Sequence, residues 1–220
     1  WNFELGNNNG WGNNELQYYK KENTRLKDGY LIIEAKTENA GSQNYTSSRL
    51  TTQNKFNFKY GRVDIRAALP KGQGIWPALW MLGKNISTVS WPKCGEIDIM
   101  EWFGRYFSSN INQVQSGLHT KNNSGENSFY QKANVSSMCS AYHNFQMHWT
   151  ASEILIGVDG VKTFSYKKPS SAGVNDWPFD APAYLILNVA VGGNLGGSVT
   201  TSDIASMAMK VDYVKVWQPH

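Results

Sequence analysis

Gly95-Glu96-Ile97-Asp98-Ile99-Met100-Glu101-Trp102 decides how this chain is read, because three acids are interleaved there with large apolar residues. Such alternation marks a β-strand with one face on a core and the other open. Glu96 and Asp98 then share a face, and Ile97 and Ile99 lie against the core. Strict alternation would put Glu101, an odd number of positions from Glu96, on the buried side, where an unpaired carboxylate costs several kcal/mol. A one-residue β-bulge near Ile99-Met100 returns it to the acidic face. An ordinary solvated edge strand is the alternative. It fits poorly, since converging acids with no interleaved base repel one another.

Two carboxyl groups about 5 to 5.5 Å apart are what a retaining glycosidase needs, one as nucleophile and one as acid/base. Two Glu side chains leaning together from a bulged strand meet that requirement, so the segment predicts glycosidic bond cleavage.

Working outward, residues 29–36, 61–68 and 209–217 alternate in the same way, and 97–102, 115–119, 144–150, 154–158 and 184–191 are further strand candidates. Asp159-Gly160 supplies a hairpin turn. No segment sustains a helical period. About a dozen short strands without repeat or linker predict an all-β fold, a β-sandwich jelly roll of two antiparallel sheets. Its concave sheet would hold an extended ligand in a cleft. The 220 residues suit one domain, residues 1–220.

Charged residues are 17% of the chain and the net charge of +4 is spread out, so nucleic acid is not an expected partner. No stretch approaches the roughly 20 apolar residues of a membrane span. The chain opens at Trp1 without Met, from which we expect a removed signal peptide and a secreted, extracellular, monomeric protein. Cys94 and Cys139 are two thiols or one disulfide, and in a secreted chain a disulfide is expected.

The acidic strand resembles that of glycoside hydrolase family 16. With Gly74-Ile75-Trp76-Pro77-Ala78-Leu79-Trp80-Met81-Leu82-Gly83 and Trp91-Pro92 before it, the run resembles the laminarinase (endo-β-1,3-glucanase) branch. Residues 13–19, 28–31, 188–193 and 212–216 extend the likeness over nearly the whole chain. The resemblance implies that Glu96 is the nucleophile, Glu101 the acid/base, and Asp98 the residue tuning the protonation of Glu96. It also implies that His119 lies beside the acids and that Asn14 and Arg66 hold sugar hydroxyls or steady the site. No cofactor is implied for catalysis. A structural calcium on Asp212 and the carbonyl of Gly29 is implied on the convex face, although the strand that commonly precedes residues 1–6 in the family is absent, which weakens that reading.

Neutral sugars offer C–H faces, so aromatic platforms are expected, and Trp76, Trp80 and Trp91 are the candidates. Trp102, Trp149, Trp177 and Trp217 are expected in the core. The expected partner is a β-glucan, with mixed-linkage β-1,3-1,4-glucan, agarose or carrageenan as alternatives on the same scaffold. A sulfated galactan would favour a basic cleft, and residues 74–106 offer only Lys84, Lys93 and Arg105. A non-catalytic, lectin-like protein is the third reading.

Overall fold

Alternation dictates the layering of the computed structural model, which describes residues 1–200, 202–204 and 207–218. Ile97 and Ile99 are fully buried in the main apolar cluster, as each strand's inward face packs on the opposite sheet. Burying an Ile stabilises by about 1.5–3 kcal/mol, and this drive fixes which face of each strand turns inward.

One sheet has seven strands in the order Asn2–Glu4, Arg49–Thr51, Ala183–Val191, Ile75–Gly83, Glu96–Glu101, Gln113–His119 and Phe129–Asn134. The second has nine, with Gly61–Ala68 and Met207–Trp217 near its middle. Pairing is antiparallel except between Gln17–Tyr19 and Gln43–Ser47, which run parallel. Helices are single turns, Ile86–Val89 and Gly193–Gly196, besides short 3-10 segments. Both residues of the Asp159-Gly160 turn have positive φ, as the tight hairpin between Glu153–Val158 and Val161–Lys167 demands.

Three of the four Trp expected in the core, Trp102, Trp149 and Trp177, are buried. Trp217 is not: it is 48% exposed on the second sheet, with Arg62 5.5 Å from its ring. It sits near the strand's end, where the pleat turns it outward beside Arg62. The expected disulfide is also corrected, since both cysteines are free. Cys94 packs under Leu82, Tyr184 and Ile186, whereas Cys139 lies against the main core with its Sγ 3.8 Å from the Ile111 carbonyl. Burial first, and nearby Glu96 second, push the Cys94 thiol up to about 11, and burial pushes Cys139 up to about 12.

Candidate active site

The acidic strand, Glu96–Glu101, carries the bulge. Asp98 pairs with Trp80 and Met100 with Leu79, so Ile99 is the extra residue. Ile99 and Met100 both face the core, and Glu101 emerges on the same face as Glu96 and Asp98. Gly95 immediately precedes the strand with φ +80, and a Cβ there would stand 2.7 Å from Pro178 Cγ, so glycine lets the chain enter close against that loop.

Above this face lies a cleft of about 980 Å³. Cross-strand register lays its floor in rows. One runs Arg49, Asn188, Ala78, Glu101, Gln115, Lys132 over six strands. The next carries Trp80, Asp98, Gly117 and Tyr130, and a third Leu82, Glu96 and His119. The acids thus occupy the middle of a groove that crosses the strands.

Each acid has its own partners. Trp91 Nε1 donates to Glu96 Oε2 at 2.8 Å, and Trp76 Nε1 donates to Glu101 Oε1 at 3.0 Å. His119 Nε2 stands 3.3 Å from Asp98 Oδ2 and 3.6 Å from Glu96 Oε1. Burial chiefly, then the charges of Asp98 and Glu96, raise Glu101 well above the usual carboxylate range. Burial and Asp98 also raise Glu96, to about 8, but His119, the Trp91 N–H and Arg49 pull it back. Of the two glutamates Glu101 is raised the further, so Glu96 ionises first and the proton stays on Glu101, the order an acid/base beside a nucleophile requires. Burial lowers His119, but Asp98, Glu96 and Glu101 outweigh it and bring the ring up to about 9. The Gly125 N–H, aimed at Nδ1 from 3.1 Å, needs a lone pair there and works against the second proton.

The other expected site residues divide. Trp91 is 48% exposed and half-buried Trp80 lines the floor, as platforms should. Trp76 is buried, its ring edge-on to Phe103 at 6.2 Å, so it serves as a hydrogen-bond donor and not a platform. Asn14 does not itself line the cleft; it is exposed, and its Nδ2 donates to Oδ1 of the cleft-lining Asn194 at 2.9 Å. Arg66 is misplaced by the sequence reading: it belongs to the second sheet, bonds Asp212 Oδ2 at 2.6 Å and lies 4.8 Å over Tyr142. That ion pair also bears on the calcium. The Asp212 carboxylate is engaged by a guanidinium and Gly29 lies in the Lys27–Tyr30 turn, so a cation there would have to compete with Arg66 for that carboxylate.

Sequence reasoning missed the far end of the floor. Arg49 lies between two indoles, 4.7 Å from Trp11 and 4.8 Å from Trp80, and forms an ion pair with Glu4. Asn188 accepts from Trp80 Nε1 at 2.7 Å and donates to Tyr19 Oη at 3.1 Å. Buried Glu15, raised by burial, accepts from Gln17 at 2.6 Å. An Arg in an otherwise neutral stretch, Ser47-Ser48-Arg49-Leu50-Thr51, was the available signal.

A β-sandwich with an open cross-strand groove, aromatic platforms and paired carboxylates of unequal proton affinity defines a polysaccharide-cleaving class of protein. The chain belongs to the glycosyl hydrolases family 16, whose model matches residues 7–215. It is 40% identical over 232 residues to the beta-glucanase of Rhodothermus marinus, with 99% of this chain and 79% of that protein covered. It is 36% identical to the clotting factor G alpha subunit of Tachypleus tridentatus, matching 99% of this chain but 32% of that protein. The laminarinase catalytic domain of Thermotoga maritima superposes with a TM-score of 0.93 at 41% identity, covering 100% of this chain and 92% of that one.

Proposed function

We propose that this chain is an endo-β-1,3-glucanase that cleaves laminarin-type glucan with retention of configuration. The observation that carries the reading is the bulge that sets Glu101 beside Glu96 while separate indole N–H groups hold each of them. Glu96 attacks the anomeric carbon as Glu101 gives its proton to the departing oxygen, and a glycosyl ester forms on Glu96. Water then enters, Glu101 takes a proton from it, and the ester is released as the β-anomer. Asp98 and His119 act on Glu96 through their charges, and the exposed Trp91 offers a sugar-stacking face. A cleft open along its length suits attack within a polymer. Such a polymer does not cross a membrane intact, which favours work outside the cell by a secreted monomer.

The test is incubation with laminarin, barley mixed-linkage glucan and agarose, following reducing ends and product anomers, with Glu96→Gln as control. Rapid appearance of β-anomeric oligosaccharides from laminarin, abolished in the variant, is expected. Binding of glucan without hydrolysis would favour the lectin-like alternative, which the presence of all three acids disfavours. Fractionation of the source cells and the sedimentation of the purified chain test its location and oligomeric state.

A further inference from the structure

The cleft is acidic at its centre and basic at one end. Lys132 closes the row that starts from Arg49 and passes through Glu101, two strands beyond that acid, roughly 10 Å at the usual spacing. Arg105, from the turn after the acidic strand, reaches the same end, where its Nη1 donates to the Asn194 carbonyl at 2.8 Å. Both cations address one ring: the Arg105 guanidinium is 4.8 Å and the Lys132 ammonium 4.9 Å from the centre of Tyr106. Lys84 and Lys93, the other cations of residues 74–106, do not line the cleft.

Among the described residues neither Arg105 nor Lys132 is in an ion pair. Glu126 also lines the cleft, on the loop whose Gly125 bonds His119, and is in an ion pair with neither cation. Two like charges held around one ring repel each other, and exposed cation–π contacts offset that only weakly. A neutral glucan needs no such pair. An anion on the polymer would relieve the repulsion and be gripped by a guanidinium fork and an ammonium together.

We propose that Arg105 and Lys132 form a subsite for an anionic substituent, a carboxylate or a sulfate ester, on the sugar that lies at this end of the cleft. The inference rests on the glucanase reading above and adds a substrate class to it: β-glucans that are decorated with negative charge. Tyr106 carries the sugar ring's edge and the two cations take the substituent.

The experiment compares laminarin with lightly carboxymethylated and lightly sulfated β-1,3-glucan, using wild type, Arg105→Gln, Lys132→Gln and the double variant. The kcat/KM for each polymer is measured at low and high salt, and binding is read in parallel by affinity electrophoresis. For wild type, raising salt should lower kcat/KM on the charged polymers and leave laminarin almost unmoved. Each single variant should lose about threefold to tenfold more on the charged polymers than on laminarin, with the excess erased at high salt. A preference for one charged polymer identifies the anion. Equal losses on neutral and charged polymers, or charged-polymer binding indifferent to salt and to both substitutions, would overturn the subsite. Failure to cleave any polymer overturns the glucanase reading instead, while the affinity gels still decide whether the anion site exists.

Discussion

Replacing Trp76 by Phe removes one N–H and little else. The six-membered ring and its edge contact with Phe103 remain, but the 3.0 Å bond to Glu101 is lost. That bond matters most once Glu101 has given up its proton, because a carboxylate accepts more strongly than a carboxyl group. A hydrogen bond to a charged group contributes about 1.5–3 kcal/mol. At about 1.36 kcal/mol per tenfold, the barrier for proton donation should rise enough to slow cleavage by about 10- to 160-fold. The loss slows the step in which Glu101 becomes anionic, and kcat/KM reports that step and not the later one in which the carboxylate takes a proton back from water. The assay is kcat/KM on laminari-oligosaccharides alongside aryl laminaribiosides whose phenol leaves without protonation. Trp76→Phe should fall by the full factor on the natural linkage and far less on the aryl glycosides. An equal fall on both would mean that Trp76 merely shapes the cleft and would refute the role given to its N–H. Unchanged Tm in the variant excludes a folding defect.

Further outcomes follow from the same geometry. Removing His119, as Gln, deletes a positive charge that lowers Glu96, so the acidic limb of the kcat/KM–pH profile should move to higher pH; an unmoved limb would exclude that role. Glu101 binds its proton more tightly folded than unfolded, so the fold loses stability as pH rises above the ordinary carboxylate range. Glu101→Gln should therefore raise Tm increasingly between pH 5 and pH 8 (roughly 2–4 °C per kcal/mol relieved) while abolishing turnover, as differential scanning calorimetry would register. Since neither cysteine is bridged, reductant should leave Tm unchanged, and a drop would reveal a disulfide. EDTA should likewise leave Tm where it is, because Asp212 is held by Arg66.

How far the sequence could be read depended on the range of the interaction. The acidic strand was legible to within one residue, 97–102 against Glu96–Glu101, bulge included, because alternation and the cost of burying Glu101 are local arguments. Ile75–Gly83 was legible as a Trp-rich approach but not as a strand: all but one of its residues are buried, so it does not alternate, and Pro77 argues against a central position. Here the Pro77 carbonyl accepts from Trp102 N, just past the bulge. Arg66 alternates correctly, yet nothing local says which sheet its strand joins, and the answer removes it from the cleft. Trp76 and Trp91 look alike as letters, but one is buried donating to an acid and the other stands half open. Arg49, Asn188 and Lys132 could not be placed in the row of Glu101, because they join it only through register between strands distant in the chain.

That register gives the groove a modular layout. Along the row from Arg49 to Lys132 each position is supplied by a different strand, so the residues at the two extremes can be exchanged without disturbing the backbone that carries the chemistry in the middle. Substrate choice can drift at the edges of the sheet, one strand at a time, while the reaction itself is inherited intact.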